Sequence, residues 1–298
     1  GSCGSAKSQL PPTNIDFQSP RSVAFDGVDN LYVVDDSGAS VVTRKPDGSE
    51  RRVDLALRGT LGQPSSVVTS GTRVLVVDLA ADALERAVAE LRPVIDTLSF
   101  THRRRHNIYF RKEIPGLAAD HPALAMTETV NHTVCADQIL QAVPLWIYEW
   151  SPFITFLAAT MDKDALYPMR DALARVNVMA YRDGEALNWH FDRSEFTTTL
   201  LLQAPDEGGD FVYRTDLRND SDPNYDGVAC LLRGEDPEVK SLKLSAGTLN
   251  VFRGKNTAHK VSTVRGSRER IIAVFSYFDR PGVVFSREDQ IGFYGRTA

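Results

Sequence analysis

The order of apolar and polar positions divides the chain into a strand-rich beginning, a helical middle and a strand-rich end. Over residues 80–98 the apolar side chains recur at helical spacing and predict one amphipathic helix. These side chains are Leu84, Val88, Leu91, Ile95 and Leu98. Pro93 lies inside this stretch and is expected to kink or divide the helix. A second helix is predicted over residues 162–176, where the shared apolar side consists of Leu166, Met169, Leu173 and Val176.

Strands are predicted from Val176 onward, with turns at the polar, glycine-containing stretches between them. The predicted strands are Val176–Tyr181, Phe196–Gln203, Phe211–Tyr213, Leu242–Leu244, Thr248–Phe252 and Ile271–Phe278. Many short strands after helices favour helices packed outside a double-sheet barrel, so the expected fold class is α+β and mostly β. Residues 214–240 are polar and rich in Asp, Asn and Pro, and they predict a long insertion that could cover a site.

Two segments near the beginning of the chain repeat one another. Residues 20–36 and 64–78 each run from Pro through a short strand, a Gly turn and a second strand to Asp. Their spacing lies in the ~40–45-residue range of β-propeller blades, and residues 20–48 resemble an NHL-type propeller repeat. A propeller needs several blades to close its ring, and fewer than two fit here. We therefore expect residues 14–79 to form a small NHL-like β module, preceded by a flexible lead or tag remnant over residues 1–13.

The composition is that of an ordinary globular protein and narrows the classes of function. Apolar residues make up 42% and charged residues 24%, with a net charge of −5 that gives no reason to expect a nucleic-acid partner. No apolar run approaches the ~18 residues of a membrane span. Cys3, Cys135 and Cys230 form no disulfide framework, so we expect a reducing, cytoplasmic location. The basic run HRRRH over residues 102–106 is interpreted first as a solvated helix end or loop and second as an anion-binding patch.

The segment NWHFDRS over residues 188–194 carries the pattern of a metal site. His190 and Asp192 are two residues apart, and on a strand such residues face the same way. His259 follows the predicted strand Thr248–Phe252 and offers a third ligand. Two histidines and one carboxylate form the facial triad of non-haem Fe(II) oxygenases, which leaves open positions for a cosubstrate and O2. The sequence therefore predicts a catalytic iron site at His190, Asp192 and His259.

Arg270 opens the very apolar run Ile271–Phe275 and is the candidate for binding a cosubstrate. A buried arginine requires an anion, and its fork of donors binds a carboxylate bidentately. 2-Oxoglutarate offers a distal carboxylate for this role. Arg268, two residues earlier, is the alternative carboxylate partner.

Taken together, these motifs resemble the Fe(II)/2-oxoglutarate-dependent dioxygenases over roughly residues 175–280. The residues that carry the resemblance are Tyr181, His190-Phe191-Asp192, Gly208-Gly209, Gly247-Thr248, His259 and Arg270. They are similar to the prolyl-4-hydroxylase-like branch and to the bacterial amino-acid hydroxylases and halogenases related to it. The resemblance implies a double-stranded β-helix, or jelly roll, within residues 80–298, with Fe(II) and 2-oxoglutarate as cofactors. It also implies that Tyr181 lines the 2-oxoglutarate pocket, although an ordinary core tyrosine fits this position as well.

The carboxylate at position 192 separates two reactions within this resemblance. Related halogenases have Gly or Ala there, which opens an iron coordination site for chloride. Asp192 vacates no such site, so the resemblance implies hydroxylation of a small molecule, such as a free amino acid or a natural-product intermediate, with succinate and CO2 as coproducts. Desaturation or cyclisation is the alternative. The acidic insertion over residues 214–237 could contact a cationic substrate group, although a solvated loop is the simpler interpretation.

Two functions from other classes stay open. The first is a non-catalytic propeller-type binding protein, which would bind no iron. The second is a cupin-like metalloenzyme without 2-oxoglutarate, in which Arg270→Ala would leave activity unchanged. The expected partners of the enzyme are O2 and a small-molecule substrate, and a homo-oligomer is one assembly that the sequence leaves open.

Overall fold

The chain divides into two compact units, Gly1–Asp78 and Leu79–Ala298. The computed structural model describes residues 22–25, 31–35, 38–44, 50–54, 66–70, 73–77, 81–111, 113–161 and 163–298. The strands of the first unit are β1 (Ser22–Phe25), β2 (Leu31–Asp35), β3 (Gly38–Arg44), β4 (Glu50–Asp54), β5 (Ser66–Ser70) and β6 (Arg73–Val77). Strands β1 to β4 pair antiparallel in chain order, and β5 pairs with β6. The flexible lead predicted over residues 1–13 lies outside the described residues.

The second unit combines helices with two β-sheets. Its helices are α1 (Ala81–Leu98), α2 (Val143–Glu149), α3 (Ser151–Thr160), α4 (Tyr225–Leu232) and α5 (Arg287–Tyr294). Its strands are β7 (Phe100–His106), β8 (Thr127–Cys135), β9 (Tyr167–Pro168), β10 (Val176–Tyr181), β11 (Leu187–His190), β12 (Thr197–Gln203), β13 (Phe211–Arg214), β14 (Lys240–Leu242), β15 (Leu249–Phe252), β16 (Ala258–Val261), β17 (Arg270–Phe275) and β18 (Tyr277–Phe278). Short 3-10 turns occur at Pro122–Leu124 and Ala136–Gln138.

The two sheets form the opposite walls of a jelly roll. The six-stranded major sheet has the order β15-β12-β17-β10-β8-β7, and the four-stranded minor sheet has the order β11-β16-β13-β14. From β10 to β13 the chain alternates between the sheets at every strand, and it does so again from β15 to β17. This alternation builds a double-stranded β-helix, so the predicted fold class is confirmed.

The strand register decides which side chains face the interior of the second unit. Tyr181 on β10 lies opposite Arg270 on β17, and Ile272 on β17 lies opposite Leu201 on β12. Directly opposed residues of an antiparallel pair project from the same face. Tyr181, Leu201 and Ile272 pack into one buried cluster, which also contains Val264. Arg270 thus enters the inner face of the major sheet beside an apolar cluster.

Helix α1 forms as predicted, but Pro93 does not divide it. Proline removes one helical hydrogen bond, the one to the carbonyl of Ala89, four residues earlier. Both Pro93 and Ala89 are exposed, so water can satisfy this carbonyl. On the predicted apolar face, Leu91 and Ile95 are fully buried, whereas Leu98 is exposed.

The helix predicted over residues 162–176 is wrong. Among its described residues, this stretch holds the two-residue strand β9, which pairs with β18, and a turn that leads into β10. Pro168 cannot donate a helical hydrogen bond, and the buried carboxylate of Asp171 accepts from the backbone N–H groups of Leu173 and Ala174, each at 2.9 Å. The apolar residues are buried as their spacing implied, but an irregular backbone presents them to the core.

Asp171 ties this turn to the C-terminal segment, and its loss should destabilise the protein. Its second carboxylate oxygen accepts from Phe285 N at 2.9 Å and from Gln290 Nε2 at 2.8 Å. We expect Asp171→Ala to lower the free energy of unfolding by about 3 kcal/mol, because four donors, three of them in buried hydrogen bonds, lose their acceptor. Urea unfolding measures this loss, with the exposed Asp164→Ala as the control. A variant of Asp171 that unfolds at the wild-type urea concentration would contradict the assignment.

The pH dependence of this contribution has a defined sign. Although burial favours the neutral acid, the four hydrogen bonds outweigh it and lower the pKa of Asp171. A carboxylate whose pKa is lower in the folded than in the unfolded state stabilises the protein fully above the unfolded value. The stability advantage of wild type over Asp171→Ala should therefore be constant near neutral pH and should shrink as the pH falls through the pKa of the folded state.

The basic run over residues 102–106 lies on strand β7, at the edge of the major sheet, and is neither a helix end nor a loop. The insertion after β13 carries helix α4, whose buried Val228 and Leu231 pack with Ile108 and Phe191. Among the described residues, no helix is both long enough and apolar enough to cross a membrane.

Candidate active site

The three predicted ligands come together at one end of the minor sheet. His190 is the last residue of β11 and lies opposite His259 on β16, with 4.0 Å between the ring centroids. Asp192 lies beyond the end of β11, so the strand expected to carry both His190 and Asp192 stops short of the carboxylate. The backbone N–H of Asp192 instead donates to Gly254 O at 3.0 Å and folds the chain back towards the histidines. One ligand atom from each of the three side chains lies within 4.8 Å of the others.

The hydrogen bonds of both imidazoles turn their Nε2 atoms towards Asp192. Nδ1 of His190 is 2.9 Å from Asn188 O, and Nδ1 of His259 is 2.9 Å from Thr257 O. A ring nitrogen bonded to a carbonyl carries the proton, so the unprotonated Nε2 is free to bind a metal. The Nε2 atoms lie 3.5 Å and 3.3 Å from the two carboxylate oxygens of Asp192, respectively.

Burial and neighbouring charges keep His190 and Asp192 in the protonation states that metal binding needs. Burial, together with the neighbouring His259, lowers the pKa of His190 and favours its neutral imidazole. Burial alone would raise the pKa of Asp192, but His259 and His190 outweigh it and hold that pKa well below its usual range. A neutral imidazole and an ionised carboxylate are the forms that bind a divalent metal.

Two residues that the sequence interpretation missed hold Asp192 in place. The Thr197 hydroxyl donates to Asp192 Oδ2. A Cβ atom at Gly254 would overlap the same oxygen, so a larger residue there would displace the carboxylate. Neither residue carries a recognisable signal in one sequence, because each acts through a contact formed only after the strands assemble. They are positioning residues for the carboxylate.

Arg270 lies on the inner face of the major sheet with an unsatisfied donor. Its side chain is 1% exposed, and its Nε donates to Gly209 O at 3.0 Å. Its Nη1 is buried and has no hydrogen-bond partner among the described residues. Gly209 has a φ of +65°, and a Cβ there would lie 2.9 Å from Arg270 Cδ. A buried cation with an unused donor fits an anionic cosubstrate such as the distal carboxylate of 2-oxoglutarate.

Tyr181 lies beside this arginine, as the strand register requires. The Arg270 guanidinium carbon is 5.7 Å from the centroid of the Tyr181 ring, and the side chain is buried. The Tyr181 hydroxyl has Met179 Sδ as a neighbour at 3.6 Å. The ring therefore forms one wall next to Arg270, and a role for its hydroxyl in binding 2-oxoglutarate stays a prediction.

Arg268, the alternative carboxylate partner, lies elsewhere. It is exposed and borders a different cavity of about 630 Å³, which Arg92, Arg182 and Glu269 also line. Glu269 forms ion pairs with both Arg92 and Arg182 there. The geometry therefore separates Arg268 from the inner face that holds Arg270.

A double-stranded β-helix with two histidines and one carboxylate gathered at the end of its minor sheet defines an Fe(II)/2-oxoglutarate-dependent oxygenase, with Fe(II) and 2-oxoglutarate as its cofactors. More specifically, the chain belongs to the Halogenase D family, whose sequence model matches residues 123–283, more than half of the chain. No curated protein matches the sequence.

Several solved structures are similar to this chain at low sequence identity. AviO1 from Streptomyces viridochromogenes Tue57 is 14% identical over 69% of this chain and 88% of its own, with a TM-score of 0.44. HygX from Streptomyces hygroscopicus, solved with nickel, 2-oxoglutarate and hygromycin B, is 11% identical over 67% of this chain and 79% of its own, with a TM-score of 0.42. A Pseudomonas putida prolyl-4-hydroxylase is 13% identical over 66% and 87%, respectively, with a TM-score of 0.37.

Proposed function

We propose that this oxygenase hydroxylates a small molecule, such as a free amino acid or a natural-product intermediate, and does not halogenate it. The observation that carries the proposal is the carboxylate of Asp192, which lies between the Nε2 atoms of both histidines. A carboxylate in this position occupies the coordination site that a halogenase needs for chloride. This chain therefore belongs to the Halogenase D family and also has both histidines and the carboxylate of a facial triad.

The proposed reaction joins substrate, O2 and 2-oxoglutarate to give the hydroxylated product, succinate and CO2. When bound, iron and 2-oxoglutarate supply the oxidising chemistry. His190, Asp192 and His259 would hold the iron and leave the opposite face open. Arg270 would orient 2-oxoglutarate through its free Nη1 donor, while the apolar inner face around Ile272 keeps bulk water away. Desaturation or cyclisation would need the same residues and is an alternative outcome of the reaction.

Product analysis in excess chloride tests this proposal. With a panel of free amino acids, Fe(II) and 2-oxoglutarate, we expect the wild type to form hydroxylated and no chlorinated product. Asp192→Gly should lose at least about 100-fold of the hydroxylation rate, because an iron ligand contributes more than the outer-shell partners whose loss costs 10–100-fold. Asp220→Gly, which alters an exposed aspartate of the insertion, is the matched control. A chlorinated product from the wild type would overturn the proposal.

We further propose that residues 14–79 form an NHL-like module and that the protein works in the cytoplasm. The antiparallel order of β1 to β4 supports the first point, because four-stranded sheets are the units of propeller blades. Cys135 and Cys230 are free, which supports a reducing compartment. Light scattering of the purified chain would test whether it forms a homo-oligomer.

A further inference from the structure

Strand β7 splits the basic run over residues 102–106 between two faces of the major sheet. His102, Arg104 and His106 alternate along the strand and lie opposite Asn131, Thr129 and Thr127 of β8, respectively. They therefore share one face. Arg103 and Arg105 lie on the other face, where Arg103 forms an ion pair with Glu128 at 2.7 Å.

The face that carries His102, Arg104 and His106 leads to the iron ligands. The ring of Phe110 stacks on His106 at 4.4 Å and meets the His190 ring edge-on at 6.2 Å. Phe110 has a φ of +55°, unusual for a bulky residue, and the buried side chain of Asn107 holds its turn by accepting from Arg111 N and Tyr109 N. The fold thus keeps an aromatic ring beside His190, between the metal site and β7.

Arg104 is the charged group of this wall and has no acidic partner. It is half-buried, and no carboxylate lies within 4.0 Å of it among the described residues, although Arg103 next to it has one. Its guanidinium carbon lies 5.1 Å from the Phe110 ring centroid. The ring centroids of Phe110 and His190 are 6.2 Å apart. The guanidinium carbon of Arg104 can therefore be no farther from the centroid of the His190 ring than these two distances added together. One small molecule can span that distance.

His102 adds to the same wall a buried polar atom that has no hydrogen-bond partner in the described part of the chain. Its Nε2 is buried without a hydrogen-bond partner among the described residues, and its ring stacks on Phe293 of α5 at 6.4 Å. A buried polar atom without a partner costs free energy unless a ligand or water satisfies it. His106, in contrast, is fully engaged with Asn107 O and Thr129 Oγ1.

Two acids, one near this wall and one in the insertion, already have cationic partners. Asp289 of α5 forms an ion pair with Arg193 at 2.6 Å, and Asp236 of the insertion forms one with Arg214 at 3.0 Å. Among the described residues, the charged group of this wall that has no acidic partner is Arg104, which would repel a cationic substrate group. Both β7 and α5 lie outside residues 123–283, so the matched segment of the Halogenase D family does not include this wall.

We propose that the substrate is an acid whose carboxylate or phosphate is bound by Arg104, with His102 Nε2 as a second contact. This makes Arg104 the specificity-determining residue that places the substrate against the iron site. The inference rests on the proposed function and specifies its class of substrate. An arginine suits this role because its planar fork binds two oxygens of a carboxylate or phosphate at once.

Binding is measured first, without turnover. Fe(II) and 2-oxoglutarate are present under nitrogen, so that the Arg270 subsite is filled. Free amino acids, their carboxamides (which lack the carboxylate), phosphoethanolamine and inorganic phosphate are then titrated while Tm is recorded. We expect acids or phosphates, and not amides, to raise the Tm of the wild type. Arg104→Gln should weaken the best binder at least about tenfold, as expected for loss of a charge-assisted hydrogen bond. Arg104→Lys should retain part of the affinity, and Arg105→Gln on the opposite face should retain all of it.

Turnover separates this inference from the proposed function. Formation of hydroxylated product and succinate by the wild type from any member of a substrate panel, charged or uncharged, reports the proposed function alone, so its absence would count against that function. The inference is overturned if amides bind and react as well as acids, or if Arg104→Gln and Arg105→Gln bind equally. It is also overturned if no acid and no phosphate shows binding that depends on Arg104. Preference for amino acids over phosphates identifies the anionic group as a carboxylate, and the reverse identifies a phosphate.

Discussion

His190→Ala is expected to abolish iron-dependent succinate formation and to lower the affinity for Fe(II) by more than about 100-fold. The imidazole supplies one of three ligands, and outer-shell partners alone already contribute 10–100-fold to metal affinity. The effect should be specific to the metal, because His190 lies at the end of β11 and makes its ring hydrogen bond to Asn188 O, only two residues away. Succinate release at saturating 2-oxoglutarate measures the loss of activity.

The dependence of Tm on Fe(II) distinguishes loss of a ligand from loss of the fold. A metal that binds only the folded protein raises the Tm, and at a given metal concentration the rise is larger for tighter binding. We expect Fe(II) to raise the Tm of the wild type and of His121→Ala, which alters a histidine that is not one of the three ligands and that caps a 3-10 turn, but not that of His190→Ala. If His190→Ala still binds iron with wild-type affinity, the ligand assignment is wrong, whatever happens to activity.

The iron site could be anticipated from the sequence because its signal is local and chemical. His190 and Asp192 are close along the chain, and a third histidine after a strand completes a recognisable donor set. The geometry brings these side chains together, although Asp192 reaches the site from a turn and not from a strand. Thr197 and Gly254, which position the carboxylate, could not be anticipated, since their contacts depend on how β12 and the segment before β16 approach the end of β11.

The two errors in secondary structure have different physical causes. Helical spacing of Leu166, Met169 and Leu173 reports burial, but Pro168 and the capping carboxylate of Asp171 decide the backbone conformation. The basic run over residues 102–106 shows the opposite case, where charge concealed a strand. An edge strand tolerates charged residues. The strand is visible only in the alternating burial of neighbouring residues such as Arg103 and Arg104, which composition does not reveal.

Arg270→Leu is expected to raise the KM for 2-oxoglutarate by about 30-fold or more. Removal of one partner from a buried charge pair costs roughly 2–5 kcal/mol, and each 1.4 kcal/mol corresponds to a factor of ten. The effect should fall mainly on KM, because the arginine holds a part of the cosubstrate remote from the bond that breaks. Arg270→Lys should recover only part of the affinity, because an ammonium cannot replace the planar fork. Arg268→Leu, which alters an exposed side chain, is the matched control and should leave the KM unchanged.

The Tm of the Arg270→Leu variant distinguishes a binding role for Arg270 from a structural role. In the ligand-free protein the guanidinium is buried with an unsatisfied Nη1, and burial lowers its pKa because the charged form is poorly solvated. Replacing such a cation by an apolar side chain should leave the Tm of the ligand-free protein within a few degrees of the wild type, because the relieved desolvation offsets the lost bond to Gly209 O. Addition of 2-oxoglutarate and metal should raise the Tm of the wild type well above that of Arg270→Leu. A large fall in the Tm of the ligand-free variant, with an unchanged KM for 2-oxoglutarate, would instead show that Arg270 has a structural role in the core. That outcome would favour the cupin-like metalloenzyme that does not use 2-oxoglutarate.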